Sequence, residues 1–353
     1  MSSASPLPGA TNDPVMPRVS LPRVVFGSSA LGNLYQALPF ERKIELVSGW
    51  FEHGEEPVVI DTAGKYGAGL ALESIGDCLR ELKIAPEQVR VGNKLGWYRI
   101  PMVGDEPSFE PDAWIDLEND AEQRLNAEGI VECWEQGNEL LGEPYRPSMI
   151  SVHDPDEYLA AAADEADRER RGADLLAAYG ELSKIRDSEP GVTLGVGSKD
   201  WRVVRDLAGR VDFDWVMLAN CVTAYTHPAE SLEFIDRLSK RGVAVVNSGV
   251  FNAGFLVGGA YFDYHPVERA SEPELFDWRD RFDQLCEKHG VNRAHACIQF
   301  GLSPPGVQSV ALSTTSPGRI AQNIRYANEA TPAAFWAEAK QIGLVAKDYP
   351  YLG

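Results

Sequence analysis

Short apolar runs alternate with amphipathic segments along most of this chain. The runs are rich in β-branched residues, are bounded by glycine, proline or polar residues, and have the length of buried strands. In the segments between them, apolar residues recur at helical spacing; in residues 228–242, Leu232, Ile235 and Leu238 share one face and Gly242 marks the C-terminal end. The predicted strands are residues 23–29, 57–63, 89–94, 149–154, 192–198, 215–221, 243–249 and 307–314.

The alternation of strand and helix predicts the fold class. A strand that is followed by a helix and then by another strand belongs to a parallel sheet whose faces are covered. Eight repeats of this unit predict closure into a (β/α)₈ TIM barrel. We assign residues 21–353 to a single barrel domain. Residues 1–20 are rich in Ser and Pro and lack the apolar core of a secretion signal, so we predict a disordered N-terminal lead.

Two connections are longer than ordinary loops. Residues 97–130 follow the third predicted strand, and residues 257–275 follow the seventh. Both leave the C-terminal ends of strands, so we expect them to lie over the mouth of the barrel as lids. A long segment without secondary structure is uncommon in a compact domain, and residues 114–129 are therefore predicted to contain a helix.

Composition narrows the classes of partner. The 353-residue chain is 44% hydrophobic and 24% charged, as in ordinary soluble domains, and no apolar run is long enough to span a bilayer. A formal net charge of −20 disfavours nucleic acid and anionic membranes, which are bound through an excess of Lys and Arg, and suits a neutral ligand. Five scattered cysteines indicate no disulfide framework, and we expect a cytoplasmic protein.

Three predicted strands end in ionisable residues. Asp61, Lys94 and His153 end the second, third and fourth strands, and Tyr66 follows Asp61 by five residues. In a barrel these ends lie side by side on one rim, so the four side chains are expected to converge. The Lys94 ammonium would lower the phenol pKa from about 10, Asp61 would hold the lysine charged, and His153 could donate to a substrate oxygen. The alternative is a structural Asp61–Lys94 ion pair beside an unrelated tyrosine and a packed histidine.

A longer motif surrounds these residues. The string from Asp61 to Gly67, DTAGKYG, is followed by Glu73 and Gly76 and resembles the signature of the aldo-keto reductase superfamily. That family also carries a lysine at the end of the third strand and a histidine at the end of the fourth. Residues 26–35, 153–156 and 245–256 resemble the D-threo-aldose 1-dehydrogenase branch, which neighbours L-fucose and L-galactose dehydrogenases and pyridoxal 4-dehydrogenases.

The resemblance implies an NAD(P)-linked enzyme that transfers hydride between nicotinamide C4 and a carbonyl or hemiacetal carbon. It implies Tyr66 as the general acid/base, Asp61 and Lys94 as the groups that tune it, and His153 as the residue that orients the substrate. We expect oxidation of an aldose to a lactone; an aldehyde or ketone reductase and a pyridoxal-type dehydrogenase are the alternatives. The residues expected to contact a sugar or aldehyde substrate are Tyr35, Trp97 and Tyr98, although aromatic residues in this region could equally fill a small core of their own.

The implied nucleotide site departs from the family pattern. Lys199 replaces an asparagine after Ser198, Asn220 replaces a glutamine, and Ser248 replaces a stacking tyrosine for which Phe251 could substitute. Ser313 stands where a lysine usually meets the 2′-phosphate of NADP, so we expect NAD to be favoured and NADP to be tolerated. The expected nucleotide-binding residues are Gly27, Ser28, Ser198, Lys199, Asn220, Ser248, Phe251, Asn252, Gly254, Ser313, Thr314, Thr315, Arg319, Gln322 and Asn323.

Other sites are not supported by the sequence. The string Gly195-Val196-Gly197 is followed by Asp200 where a dinucleotide fingerprint needs its third glycine, so no Rossmann domain is predicted. The residues Cys286, His289, His295 and Cys297 have spacings typical of helix packing, and we predict no metal site. Two functions from other classes stay open, namely a Schiff-base lyase that uses Lys94 and a nucleotide-binding barrel without turnover. The sequence predicts no oligomeric state.

Overall fold

The computed structural model describes residues 16–352, which form a closed barrel of eight parallel strands surrounded by helices. The prediction of a (β/α)₈ TIM barrel is confirmed. The strands are β1 Val24–Gly27, β2 Val58–Ala63, β3 Val89–Leu95, β4 Trp97–Pro101, β5 Asn119–Gln123, β6 Pro147–His153, β7 Thr193–Ser198, β8 Trp215–Ala219, β9 Ala244–Ser248, β10 Tyr261–Phe262, β11 His265–Pro266 and β12 Val307–Leu312. The order around the barrel is β1, β2, β3, β6, β7, β8, β9 and β12, which pairs again with β1.

Helices follow the barrel strands and cover their outer face. They are α1 Phe40–His53, α2 Leu70–Glu81, α3 Ala127–Leu141, α4 Pro155–Ala160, α5 Glu165–Ser188, α6 Trp201–Ala208, α7 Ala229–Lys240, α8 Pro273–His289, α9 Arg293–Gly301, α10 Ile320–Asn328 and α11 Ala333–Gln341. Short 3₁₀ helices occupy Ser29–Gly32, Pro86–Gln88, Phe255–Val257 and Pro317–Arg319.

Each barrel strand is buried on both faces, which explains its continuous apolar sequence. Every residue of β2 is buried; Val58 and Ile60 pack in the outer layer, whereas Val59 packs inside the barrel. The inner layer contains Val25, Val59, Met149, Trp215, Met217, Ala244 and Val246. These side chains fill the barrel below the level of the ionisable strand ends.

The glycines of β7 make room for larger groups inside the barrel. In the parallel register Gly195 is paired with Trp215 and Gly197 with Met217. A methyl group at Gly195 would lie 2.3 Å from the Trp215 indole, which is only 2% exposed. The repeated glycines of Gly195-Val196-Gly197 therefore serve packing inside the barrel, in agreement with the absence of a dinucleotide fingerprint.

The packed part of the chain begins before residue 21. Residues 1–15 lie outside the described residues, so most of the predicted disordered lead stays a prediction. Within the rest of it, the Arg18 amide donates to the Gly242 carbonyl oxygen, at 2.8 Å. Val19 is buried against the inner layer, so this segment closes the base of the barrel.

The prediction of a helix within residues 114–129 is wrong for most of that stretch. Residues 119–123 form β5, which pairs antiparallel with β4, and helix α3 begins only at Ala127. The second long connection, residues 257–275, forms the short antiparallel pair β10 and β11 before α8 begins. Its turn places Asp263 at φ 46° and Tyr264 at φ 72°. That either connection acts as a lid stays a prediction.

We predict that Gly195→Ala lowers the free energy of unfolding by about 1–3 kcal/mol, because the added methyl overpacks the space beside Trp215. Urea denaturation followed by circular dichroism measures this change. Gly180→Ala is the matched control: Gly180 is an exposed residue of α5 where a methyl meets no atom within 4 Å. We expect that control to gain about 0.5–1 kcal/mol from the helix preference of alanine. Equal stability of Gly195→Ala and the wild type would contradict the packing account.

Candidate active site

Four side chains that the sequence singles out meet at the C-terminal end of the barrel. Asp61 lies in β2, Lys94 in β3, and His153 is the last residue of β6. Parallel register aligns these ends, since Asp61 is paired with Gly92, Lys94 with Ser151 and His153 with Gly197. Tyr66 lies in the turn between β2 and α2. We refer to Asp61, Tyr66, Lys94 and His153 as the tetrad.

Asp61 and Lys94 form a buried ion pair. The Lys94 Nζ lies 2.5 Å from Asp61 Oδ2, and the two side chains are 5% and 9% exposed. Burial acts to lower the pKa of Lys94, but the Asp61 carboxylate and the Tyr66 hydroxyl outweigh it and hold the pKa above its usual value. Lys94 is therefore a positive charge at neutral pH, at a fixed position inside the barrel mouth.

The Tyr66 ring packs between the ion pair and His153. The Lys94 Nζ lies 4.7 Å from the ring centroid, and the His153 ring meets it edge-on with centroids 5.5 Å apart. Burial raises the pKa of the Tyr66 phenol, and the opposing effect of Lys94 is the smaller one. Lys94 lowers the pKa of the Tyr66 phenol, as expected from the sequence, but burial raises that pKa by more. Tyr66 is therefore a neutral phenol at pH 7.

A close approach of two loops fixes the Tyr66 backbone. Gly67 has φ +63°, and a methyl group there would lie 2.3 Å from the Gly32 carbonyl oxygen. A methyl at Gly32 would in turn lie 2.7 Å from the Tyr66 carbonyl group. The glycine that follows the tyrosine in the motif is therefore required by the left-handed backbone and by this contact.

His153 is neutral at physiological pH. Burial lowers its pKa well below the usual range, and the nearby ammonium groups of Lys94, Lys65 and Lys199 lower it further. Its Nε2 lies 3.5 Å from Asp154 Oδ2, and its buried Nδ1 has no hydrogen-bond partner among residues 16–352. A neutral imidazole carries one N–H and can donate it to a ligand oxygen.

A second group of charges surrounds the tetrad, and of its members only Lys199 is an expected site residue. The Lys65 Nζ lies 2.5 Å from Glu110 Oε1 and 3.6 Å from Glu157 Oε2. Lys199 Nζ contacts Glu157 Oε1 and lies 3.7 Å from Asp154 Oδ2. We call Lys65, Glu110, Asp154, Glu157 and Lys199 the mouth network. Two signals pointed to it: Lys65 directly precedes Tyr66, and Asp154 directly follows His153.

The three expected substrate residues occupy different places. Tyr35 is 49% exposed and stacks on Tyr261 with ring centroids 5.4 Å apart. Trp97 belongs to a small aromatic cluster that includes Tyr66, and its ring lies 5.1 Å from Lys65 Nζ. Tyr98 follows Trp97 in a strand and faces the other way, so its ring packs on the Arg124 guanidinium, at 3.9 Å. Trp97 therefore partly fills the core of its own segment.

The expected nucleotide residues near the mouth include unsatisfied polar atoms. Asn220 Oδ1 and Asn252 Oδ1 are buried without a hydrogen-bond partner in the described part of the chain, while Asn252 Nδ2 donates to Asp263 Oδ1 at 2.9 Å. Ser198 Oγ donates to Asp156 Oδ1 at 2.7 Å, and Ser28 Oγ donates to the Asp61 carbonyl oxygen at 2.9 Å. Gly27, Ser248, Phe251 and Gly254 are partly exposed.

The remaining expected nucleotide residues follow β12 on the other side of the mouth. Ser313 Oγ lies 3.4 Å from Ser29 Oγ, and the Ser316 amide donates to Thr314 Oγ1 at 3.1 Å. Arg319 ends the 3₁₀ helix that leads into α10. The exposed residues of this group are Ser313, Thr315, Arg319 and Gln322, and Asn323 is partly exposed.

Comparison with known proteins identifies the family. The model of the Aldo/keto reductase family matches residues 23–343. The chain belongs to the aldo/keto reductase family. It is 27% identical over 336 residues to a pyridoxal 4-dehydrogenase of Microbacterium luteolum, and the match covers 91% of this chain and 93% of that protein.

Solved structures show the same fold. A glycerol dehydrogenase of Gluconobacter oxydans matches with a TM-score of 0.66 at 18% identity, over 96% of each chain. The holo form of an aldo-keto reductase from Bacillus halodurans matches with a TM-score of 0.62 at 18% identity, over 94% of this chain and 96% of that one. Aldo/keto reductases use a nicotinamide nucleotide. The unsatisfied Asn220 Oδ1 fits such a ligand, because a carboxamide supplies the N–H donor that this oxygen lacks.

The histidines of the Cys286–Cys297 region are engaged elsewhere. His289 Nε2 lies 2.8 Å from Glu338 Oε2, and His295 Nε2 lies 2.6 Å from the Glu329 carbonyl oxygen. Within residues 16–352 no three His, Cys, Asp or Glu side chains are grouped to hold a metal ion. The described helices include none that is long and apolar enough to cross a membrane.

We predict that Lys94→Met lowers the free energy of unfolding by about 3–5 kcal/mol, because it leaves the Asp61 carboxylate buried without its partner. The double variant Asp61→Asn/Lys94→Met should be more stable than Lys94→Met alone, since no charge is left behind. Urea denaturation of both variants measures the difference.

The control is Lys240→Met, which removes the ammonium 2.6 Å from Asp236 in a pair where the lysine side chain is 73% exposed. We expect a change of less than about 1 kcal/mol there. A Lys94→Met protein as stable as this control would show that the buried pair does not contribute as described.

Proposed function

We propose that this aldo/keto reductase oxidises the hemiacetal carbon of an aldose to a lactone, with NAD or NADP as the second substrate. The observation that carries the proposal is the position of the Lys94 ammonium, which lies 2.5 Å from the Asp61 carboxylate and 4.7 Å from the Tyr66 ring centroid. A buried charge beside a phenol can stabilise the phenolate that a proton acceptor requires. His153, edge-on to that phenol, supplies a hydrogen-bond donor for the same substrate oxygen.

The tetrad transfers the proton of the reaction, with Tyr66 as the group that exchanges it. A bound nicotinamide would supply the acceptor for the hydride that leaves the anomeric carbon. Once its own proton is lost to solvent, the Tyr66 phenolate takes the proton of the anomeric hydroxyl as the C–H bond breaks and a carbonyl forms, and in the reverse direction its phenol returns that proton. Lys94 stabilises the phenolate, Asp61 keeps Lys94 charged, and the His153 N–H orients the oxygen.

The nucleotide would be held by residues on both sides of the mouth. Asn220 and Ser198 would hold the carboxamide, and Ser248 or Phe251 would face the nicotinamide ring. The segment from Ser313 through Arg319 to Asn323 would hold the adenosine phosphates. Ser313 brings no positive charge to the 2′-position, which supports NAD as the preferred nucleotide.

Pyridoxal is the second candidate substrate, because the relative from Microbacterium luteolum is a pyridoxal 4-dehydrogenase and its match covers 91% of this chain. Pyridoxal closes to an internal hemiacetal, so the bonds that break would be the same. A Schiff-base lyase is less well supported. Lys94 is paired with Asp61 and its pKa is raised, whereas a nucleophilic lysine needs a lowered pKa.

The proposal is tested by a screen of aldoses and pyridoxal with NAD and with NADP. Appearance of the reduced-nicotinamide absorbance at pH 7 and pH 9 reports turnover, and oxidation should be faster at pH 9 because the Tyr66 phenol must lose its proton. The absence of nucleotide reduction with every aldose and with pyridoxal would contradict the proposal. Trapping of substrate on Lys94 by borohydride would favour the lyase instead.

We predict that Tyr66→Phe lowers kcat by about 100- to 10,000-fold, because the variant keeps the ring and loses the group that exchanges the proton. Nucleotide Kd, measured by quenching of tryptophan fluorescence, should stay within about twofold, as the role of Tyr66 is in proton transfer. Tyr145→Phe is the control, since that buried hydroxyl donates to the Ile84 carbonyl oxygen away from the mouth. A Tyr66→Phe enzyme with unchanged kcat would rule out the assigned role.

A further inference from the structure

The Asp154 carboxylate lies beside His153 and forms an ion pair with Lys199. Asp154 precedes α4 with φ 45°, yet its side chain makes no capping hydrogen bond to that helix. Its Oδ2 lies 3.5 Å from His153 Nε2 and 3.7 Å from Lys199 Nζ. Within residues 16–352 the carboxylate oxygens accept no hydrogen bond at normal distance and angle. A partly buried carboxylate whose oxygens accept no hydrogen bond from the protein has acceptor positions that a ligand can use.

The surrounding charges hold this carboxylate in place. Lys199 contacts both Asp154 and Glu157, and Glu157 in turn lies 3.6 Å from Lys65. Lys199 also lies 4.8 Å from the centroid of the Tyr264 ring, in the turn between β10 and β11. Residues that follow β2, β6, β7 and β9 therefore surround this carboxylate, and Lys199 is the one that pairs with it among them.

Asp154 is ionised under ordinary assay conditions. Burial raises the pKa of Asp154 to about 6, with Lys199 and Lys65 opposing the rise and Glu157 and Asp156 adding to it. The carboxyl group thus accepts hydrogen bonds as an anion at pH 7.5. Asp154 is 13% exposed, so such a bond would form largely out of solvent, where it is strong.

We propose that Asp154 is a specificity-determining residue that accepts a hydrogen bond from a second hydroxyl of the substrate, next to the reacting carbon. The inference rests on the proposed function, in which His153 donates to the reacting oxygen. A group 3.5 Å from His153 Nε2 can reach a hydroxyl on the neighbouring carbon, because oxygens on adjacent carbons are about one hydrogen-bond length apart. Lys199 then acts as a positioning residue for Asp154.

The substrate class follows from this arrangement. The enzyme selects hemiacetals that carry a hydroxyl close to the reacting oxygen. In an aldose this is the 2-hydroxyl, on the adjacent carbon; in pyridoxal it is the ring hydroxyl, which is one carbon further away but still about one hydrogen-bond length from the reacting oxygen. Simple aldehydes and alcohols lack this donor and leave the carboxylate unsatisfied. A site built for a hydroxyl rejects an analogue without it far more strongly than an apolar pocket rejects a missing methylene group.

The test combines two substrates with two enzymes. kcat/KM is measured at pH 7.5 for L-galactose and 2-deoxy-L-galactose, and for pyridoxal and 3-deoxypyridoxal, with wild type and with Asp154→Asn. We expect the wild type to favour the hydroxylated member by about 10- to 100-fold, the scale of a hydrogen bond to a charged group. In Asp154→Asn that preference should fall to within about threefold, mainly through loss of activity on the hydroxylated member.

Two further variants separate specificity from folding. Asp174→Asn, which removes a carboxylate whose side chain is 28% exposed on α5, should keep the full preference. Asp154→Ala, checked for folding by circular dichroism, should lose the preference as Asp154→Asn does. A purely structural role would lower kcat/KM for both members of a pair equally and leave their ratio unchanged.

The outcomes distinguish this inference from the function on which it rests. Turnover of L-galactose or pyridoxal without any preference over the deoxy analogue overturns the role of Asp154 and leaves the proposed function standing. A preference that survives unchanged in Asp154→Asn also overturns it. Absence of turnover with every aldose of the screen and with pyridoxal overturns the proposed function and this inference with it.

Discussion

The buried ion pair between Asp61 and Lys94 places a fixed positive charge beside Tyr66 and His153. Taking two charges out of water costs free energy that only close contact and further polar partners repay. The barrel provides that contact at 2.5 Å, and Gly197 leaves room beside the lysine stem, since a methyl there would lie 3.1 Å from Lys94 Cδ. The fixed Lys94 ammonium then changes the pKa of two neighbours. It opposes the rise in the Tyr66 pKa, and it lowers the His153 pKa and so helps to keep His153 neutral.

The sequence predicts those features that depend on short-range pattern. Apolar runs that end on Asp61, Lys94 and His153 predicted both the strands and the place where their ends meet, because parallel strands in a barrel share one rim. The sequence predicts a helix around Asn119, where the structure has a strand, and the difference has a physical reason. Its pairing partner, the strand that begins at Trp97, is remote in sequence, and local composition does not reveal antiparallel pairing across such a distance.

The contacts within the mouth network do not follow from the sequence, for a related reason. Lys65 and Lys199 lie in two different loops and Glu157 lies in helix α4, and their separation in the chain carries no periodic signal. Lys199 was expected to meet the nucleotide as a substitute for an amide. The structure shows its ammonium in contact with Glu157 and close to Asp154, which ties the loop after β7 to the helix that follows β6. The position of a charged residue at a strand end can thus be predicted from the sequence, whereas the partners of a charged residue in a loop become known only from the structure.

The tightly filled base of the barrel has a consequence for the kinetics of ligand exchange. Trp215, Met149 and Val59 fill the interior below the tetrad, and Val19 packs against them from beneath. Among the described residues no passage leads from the tetrad through this layer, so every molecule that reaches Tyr66 arrives and departs through the mouth. Two ligands that share one entrance obstruct each other whenever the outer one covers the inner. A ligand beside Tyr66 that is covered in this way leaves only after the outer ligand has departed.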